Sequence, residues 1–233
     1  MIEDHSSCIR VSDTGICPKC YSKNIIKNGK TKTGKQQYFC KSCNKRFIDY
    51  YSYNGFEKNL NSKIIQCTKE GLGIRSTARI LKISTTTLLK RILIIAKSIS
   101  QPPVAKGKAY EMDELQTFVK TKATRIWLAY AIDVTTRNAI SFSVGNRSNA
   151  TLSKVIKTLQ LSKAVKISTD KLKNYKYLID PKIHSTKKRG TNHIERKNLT
   201  LRTHLKRLNR KTICFSRSLV ILNSILKIYF WGK

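Results

Sequence analysis

Three acids and four cysteines are the residues of this chain whose types and spacing could do chemistry. Asp113 lies in "AYEMDELQTFVK", Asp170 closes "AVKISTD", and Glu195 sits in "TNHIERKNLTLR". Glu195 is the only acid among the last 53 residues, which carry 14 Lys or Arg. A carboxylate kept in so basic a segment weakens attraction for a polyanion unless it has a use of its own. Gathered carboxylates hold Mg2+ or Mn2+. Two such ions about 4 Å apart activate an oxygen nucleophile, neutralise phosphoryl oxygens and assist a departing 3'-oxygen. An acid inside a strand, as Asp113 is, is costly unless solvated or liganded. Taken singly, each acid is ordinary: an Asp after a strand often shapes a turn, and a helical Glu among lysines commonly forms an exposed ion pair. Asp133, at the end of a strand, and Glu114, expected on the face opposite Asp113, are rival acids.

The cysteines form "CPKC" (Cys17, Cys20) and "CKSC" (Cys40, Cys43), separated by 19 residues. Two such knuckles bring four thiolates to one tetrahedral Zn2+; a disulfide or redox pair is the competing reading. The segment between them reads as a hairpin, with Ile25 and Ile26 on one side and Tyr38 and Phe39 leading into the second knuckle. A zinc ribbon is expected over residues 17–55, after an N-terminal extension (1–16), with the metal supplying part of its folding energy. Cys8, Cys67 and Cys214 read as small apolar fillers.

Residues 56–99 carry apolar positions at helical spacing. Ile74, Ala78 and Leu81 give one inward face, "KIS" makes a turn with Ser84 as N-cap, and Leu88, Leu89 and Ile92 anchor a second helix. This fits a DNA-binding helix-turn-helix with Thr85, Thr86, Thr87, Lys90 and Arg91 beside or facing the groove. A structural helical hairpin has the same rhythm. "SQPPVAKGK" marks a linker over 100–109. Beyond it the period becomes that of strands: three strands, a helix ("ATLSKVIKTLQ"), then a short strand ending at Asp170. That order predicts an α/β ribonuclease-H-like domain with a mixed sheet over residues 110–233, in which Glu195 rides a helix beside its apolar stripe of Ile194, Leu201, Leu205 and Leu208. The chain is therefore expected to be multidomain. A final apolar helix is expected within Thr212 to Trp231, packed in cis.

The formal charge of +34 is spread over every segment. Self-repulsion of this extent is relieved by a long polyanion, which makes nucleic acid the expected partner. No apolar run suits a signal peptide or a membrane span, so the expected place is the cytoplasm or the nucleoid.

"MDELQTF", "AYAIDVTTRNAISFSVGNRS", "STD" and "HSTKKRGTNHIERKNLTLRTHLKRLNRKTICFSRS" resemble the IS1 family of insertion-sequence transposases. The family pattern is an N-terminal CxxC pair, a helix-turn-helix and a DDE catalytic domain with 24 residues between the second Asp and the Glu; 24 separate Asp170 from Glu195 here. The resemblance implies a metal-binding triad of Asp113, Asp170 and Glu195; Asp113, on a central strand with the least freedom to move, is expected to bridge two Mg2+ or Mn2+ ions. It also implies binding to double-stranded DNA at terminal inverted repeats, strand cleavage, strand transfer into target DNA, and a homo-oligomer, at least a dimer. Asn192 and Asn198, three positions either side of Glu195, are expected to orient it or touch DNA. Lys187, Lys188, Arg189, Arg196 and Lys197 are phosphate-contact candidates, and Lys206, Arg207, Arg210 and Lys211 extend the track. His184 is either a general acid or a structural histidine. Gln116, Lys171 and Leu172 depart from the family pattern, which commonly has Trp at the first position and Gly-Trp at the other two. A domesticated, catalytically inactive DNA-binding protein is the alternative reading.

Overall fold

The structure is a computed structural model in which residues 10–50 and 53–233 are described; Cys8 lies outside them. Two compact units divide the chain, Met1–Glu57 and Lys58–Lys233.

In the first unit a one-turn helix α1 (Val11–Thr14) precedes β1 (Ile25–Lys30), β2 (Gln36–Cys40) and β3 (Arg46–Ile48). β1 and β2 form the expected antiparallel hairpin, and β3 adds a third strand that the sequence reading did not include. Its core is small: Val11, Cys17, Tyr38, Cys40 and Phe47, with the Tyr38 and Phe47 rings stacked at 6.0 Å. So few apolar residues cannot hold a fold alone, which leaves an essential role for whatever binds the cysteines.

The second unit begins with three helices, α2 (Leu60–Lys69), α3 (Ile74–Ile80) and α4 (Thr85–Ser98). Ser84 caps α4 by accepting from the Thr87 N–H at 3.1 Å, as its sequence position predicts. Lys82, in the turn, takes φ +50. Ala78, Leu81, Leu88 and Ile92 are buried; Leu89 is half-buried.

A five-stranded sheet follows, from β4 (Ala109–Val119), β5 (Thr121–Asp133), β6 (Ala139–Gly145), β7 (Lys166–Ser168) and β8 (His184–Ser185), in the order β6-β5-β4-β7-β8. The β6-β5-β4 part is antiparallel and β4-β7-β8 is parallel, so the sheet is mixed. β7 stops two residues short of Asp170, and β8 was not foreseen in the sequence. Helices α5 (Asn149–Leu161) and α6 (Lys173–Leu178) cover one face, burying Leu152, Val155, Ile156 and Tyr175 against Tyr110 and Met112. On the other face lie α7 (Asn192–His204) and α8 (Leu219–Trp231). Side chains alternate accordingly along β4 and β5: Leu115, Leu128 and Tyr130 face α7 and α8, whereas Met112 and Ala129 face α5.

α8 packs in cis, as expected. Leu222, Ile225, Leu226 and Ile228 are buried in one cluster with Leu60 and Ile64 of α2, Leu88, Ile92 and Ile95 of α4, and the sheet. Phe230 stacks on Tyr130 at 5.6 Å, and the Trp231 indole N–H donates to the Ala139 carbonyl at 2.7 Å. The segments assigned to DNA reading and to catalysis therefore share a single hydrophobic core. The intervening linker is tied to that body: Gln101 donates to the Ile140 carbonyl and the Gly107 N–H to the Ser162 carbonyl. Gly71, at φ +75, allows the α2–α3 turn to approach α7; a Cβ there would meet the His204 carbonyl oxygen at 2.1 Å.

Candidate active site

The parallel pairing of β7 with β4 ends at Glu111–Ser168, so both chains run on past their ladder side by side. Asp113 comes from β4 and Asp170 from the loop after β7. Their carboxylate oxygens, together with one from Glu114, all lie within 4.8 Å of one another. This is the carboxyl end of a parallel strand pair, where open sheets place their sites.

Each acid is held differently. Asp113 Oδ2 accepts from the Asn198 side-chain amide at 2.6 Å, and Oδ1 from the Glu114 N–H at 2.7 Å. Burial, and then the neighbouring Glu114 and Asp170 charges, raise the Asp113 carboxyl from 3.8 to about 6 against those hydrogen bonds. Asp170 is exposed and accepts from the Leu172 N–H at 3.0 Å, a turn role that leaves its other oxygen clear of this bond. Glu114 does project to the opposite face of β4, where it meets Arg147 at 3.0 Å and the Tyr175 hydroxyl. Its side chain is only 1% exposed, and Arg147 lies in turn over the Trp127 ring at 4.4 Å. Asp133, the other rival, accepts the Thr135 and Thr136 N–H groups and closes the β5–β6 turn.

Glu195 is not in the tight carboxylate group. It occupies the first turn of α7, where the Thr191 hydroxyl donates to its Oε1 at 2.8 Å, and a helix N-terminus favours its charge. It lines an open cavity of about 690 Å³ with Asp113, Asn198, Leu199, Arg202, Asn209, Arg210 and Lys211. Asn198 serves Asp113 and not Glu195: its carbonyl accepts from the Tyr130 hydroxyl at 2.8 Å, which points its amide at Asp113. Burial and the Asp113 charge push the Tyr130 phenol up, so the hydroxyl stays a donor.

Sequence reasoning missed Glu111. Two residues before Asp113 and buried, it accepts from His193 Nδ1 at 2.6 Å and from the Ile194 N–H at 2.8 Å. A β4 carboxylate thus ties down the first turn of α7, the turn that carries Glu195. The one available signal was a third acid, beside Asp113 and Glu114, in the "YEMDE" run.

Of the expected phosphate contacts, Lys187, Lys188, Arg189, Arg196, Lys206, Arg210 and Lys211 are exposed, as are Asn192, Thr85, Thr86 and Lys90. Thr87 and Arg91 are half-buried, and the Thr87 hydroxyl is engaged with Ser84. Lys197 is half-buried, which lowers its ammonium. Arg207 is turned inward: its guanidinium donates to the Ser216 hydroxyl at 2.8 Å and its carbonyl accepts from Thr117 at 3.0 Å. His184 shares a 2.8 Å hydrogen bond with the Thr169 hydroxyl, and burial with the Lys176 charge lowers its imidazole, which suits a structural part beside Asp170.

In the first unit the four cysteine sulfurs converge within 4.8 Å, with Cys17–Cys43 at 3.7 Å and Cys20–Cys40 at 3.6 Å. Tetrahedral Zn2+ with bonds of about 2.3 Å requires sulfurs about 3.8 Å apart, so the thiolates fit that ion. Although burial alone would raise it, N–H groups of Cys20 and Lys19 aimed at Cys17 bring its thiol down to about 6. This is a zinc-binding cysteine cluster.

The model of the IS1 transposase family matches residues 108–232. The chain belongs to the IS1 transposase family. Among its relatives is the insertion element iso-IS1n protein InsB of Shigella dysenteriae, 38% identical over 50% of this chain and 88% of that protein. The insertion element IS1 protein InsB of Shigella flexneri is 37% identical over 51% and 91%, and an IS1 InsB protein of Escherichia coli (strain K12) is 36% identical over 51% and 71%. A chain in the solved structure of a simian T-cell lymphotropic virus intasome is similar over 60% of this chain and 59% of its own, at 16% identity and a TM-score of 0.35. As an IS1-family member the protein is a DDE-type transposase, an enzyme whose partner is DNA, with a ribonuclease-H-like sheet carrying its acidic cluster. Among the described residues no helix is long and apolar enough to cross a membrane.

Proposed function

We propose that this transposase binds the terminal inverted repeats of its element, cleaves DNA and joins the freed 3' ends to target DNA, using Asp113, Asp170 and Glu195 as the carboxylates of one metal site. The observation that carries this reading is the convergence of Asp113 with Asp170 at the end of the parallel strands, while Glu195 lines the same open cavity as Asp113. Asp113, Asp170 and Glu114 lie within 4.8 Å and repel one another, and a hard cation is the group whose chemistry matches such oxygens. Two Mg2+ or Mn2+ ions, when bound by Asp113, Asp170 and Glu195, would stabilise the attacking and departing oxygens of the phosphodiester.

The chain's own side chains do the rest. Asn198, oriented by Tyr130, fixes the Asp113 carboxylate; Glu111 fixes the turn bearing Glu195; Arg147 and Tyr175 keep Glu114 out of competition. Arg210 and Lys211, on the cavity wall, attract the phosphate backbone, with Lys187, Lys188, Arg189, Arg196 and Lys206 extending the same field. Thr85, Thr86, Lys90 and Arg91 of α4 are assigned to reading the repeat, with Thr87 shared between cap and groove. One Zn2+ holds Cys17, Cys20, Cys40 and Cys43. Cleavage at two element ends calls for at least a dimer, working in the cytoplasm on the nucleoid.

The test is nicking of a supercoiled plasmid carrying the repeat, with Mn2+. Asp170→Ala and Glu195→Gln should abolish metal-dependent cleavage while repeat binding stays within about threefold. Cleavage that survives Glu195→Gln overturns the assignment. Repeat binding by the wild type with no metal-dependent cleavage supports the catalytically inactive alternative.

A further inference from the structure

The leucines of α7 and the turn after it divide into two kinds. Leu201, Leu205 and Leu208 are buried in the shared core. Leu199 is 67% exposed and lines the cavity that holds Asp113 and Glu195. It lies four residues after Glu195, one helical turn along the same face. Its companions on the cavity wall are polar or cationic: Asn198, Arg202, Asn209, Arg210 and Lys211.

A single exposed leucine on an ordinary surface needs no explanation. The position of this one is different. Cations around the cavity draw in a polyanion, so the space is built to be filled by nucleic acid. Once it is filled, an isobutyl group cannot bond phosphate, and contact with phosphate oxygens would only strip them of water. Apart from thymine methyls in the major groove and the sugar edges, the apolar surface that DNA offers is the face of a base, reachable only if the base leaves its stack. Apolar side chains that enter a base step in this way unstack it and kink the duplex there. The helix supplies a rigid mount, since Ile194 and Leu201 lock it to the sheet on the other side. The scissile phosphate has to reach carboxylates set in a cavity, and a kink made by a wedge one turn from Glu195 would bend the backbone at that step toward them.

We infer that Leu199 is a wedge that inserts beside the scissile step and unstacks the adjoining base, so that paired DNA is opened as it enters the carboxylate site. The inference rests on the assignment of that site to DNA cleavage. Its specificity consequence is that ends with weakly stacked or unpaired terminal steps are cut with less dependence on Leu199.

The experiment uses the full-length protein and repeat-end duplexes with 2-aminopurine next to the cleaved bond. In the Glu195→Gln background with Mn2+, binding should raise 2-aminopurine emission several-fold, and adding Leu199→Ser should remove that rise while gel-shift affinity stays within about threefold. In the otherwise wild-type protein, Leu199→Ser should slow cleavage of the paired duplex at least tenfold and recover to within about threefold of wild type when the bases at the step are mismatched. Leu199→Met, which keeps an apolar tip, should retain most of the paired-duplex activity. An emission rise that persists in Leu199→Ser overturns the inference, as does an equal loss of cleavage on paired and mismatched ends. A dimer that dissociates on Leu199→Ser, read by light scattering, would assign the side chain to a second copy of the chain and also overturns it. These outcomes are separate from the site assignment, which fails if Asp170→Ala or Glu195→Gln still cleaves.

Discussion

Replacing Asp113 with Asn should abolish cleavage and, at neutral pH without Mg2+ or Mn2+, make the protein more stable. The folded state raises this carboxyl from 3.8 to about 6, chiefly by burial and then by the Glu114 and Asp170 charges. A group whose pKa is higher folded than unfolded contributes stability that is present below the unfolded value and is lost as pH rises through the folded one. The window here is pH 4 to 6. A shift of about two units is worth about 3 kcal/mol at 1.36 kcal/mol each, an upper bound on what removing the charge returns at pH 7.5. Asn keeps the hydrogen bond from the Glu114 N–H but meets the Asn198 amide with N–H against N–H, so that Asn198 must turn over. A net gain of about 1 to 2 kcal/mol is expected, or roughly 2 to 6 °C in Tm for a unit of this size. Thermal unfolding followed by circular dichroism at pH 4.5 and 7.5 measures this, in buffers that hold zinc but are depleted of Mg2+ and Mn2+. The variant should exceed wild type at 7.5 and match or trail it at 4.5, and Mn2+ should raise the Tm of wild type alone. A variant less stable than wild type at 7.5, or one that keeps the full Mn2+ shift, would refute the reasoning.

Arg147→Ala leaves the buried Glu114 carboxylate leaning on the Tyr175 hydroxyl without its cation and removes the stack on Trp127; a loss of about 3 kcal/mol in urea unfolding is expected. Glu111→Ala strips the N-terminus of α7 of its buried acceptor, and should lower stability by about 1 to 3 kcal/mol while raising the Mn2+ concentration needed for half-maximal cleavage. Removing zinc with a chelator, or making Cys40→Ser, should unfold the first unit, seen as loss of its amide dispersion by NMR, and leave signals of the sheet in the second unit in place.

Local chemistry was the legible part. Ser84 caps α4 from three residues away, the CxxC knuckles announce their own geometry, and alternation separates the faces of β4; each of these is a short-range rule. The sheet edge that gathers Asp113 and Asp170 was foreseeable from strand order. What escaped were partnerships across the fold. Glu111 meets His193 82 positions later, Asn198 reaches back 85 positions to Asp113, and Glu114 is claimed by Tyr175 61 positions on. Helical spacing placed Asn198 near Glu195, but a side chain follows the better acceptor, which the sheet presents on its other side. Arg207 misled for a related reason: a cation in a basic run reads as solvated until Ser216 is seen to turn it inward.

The apolar helix α8 has a consequence for the DNA as well as for the protein. Because Ile225 and its neighbours pack at once on α4 and on the sheet, a duplex held by α4 in the proposed way would have no freedom to slide relative to the carboxylates. The body then acts as a ruler. Each base pair added between the gripped sequence and the element tip advances the bond to be cut by about 3.4 Å and turns it about 35° around the duplex axis. A tip lengthened by one pair should be cut at the position the ruler measures, not at the one its sequence names, and a tip lengthened by five should present the wrong side of the helix altogether.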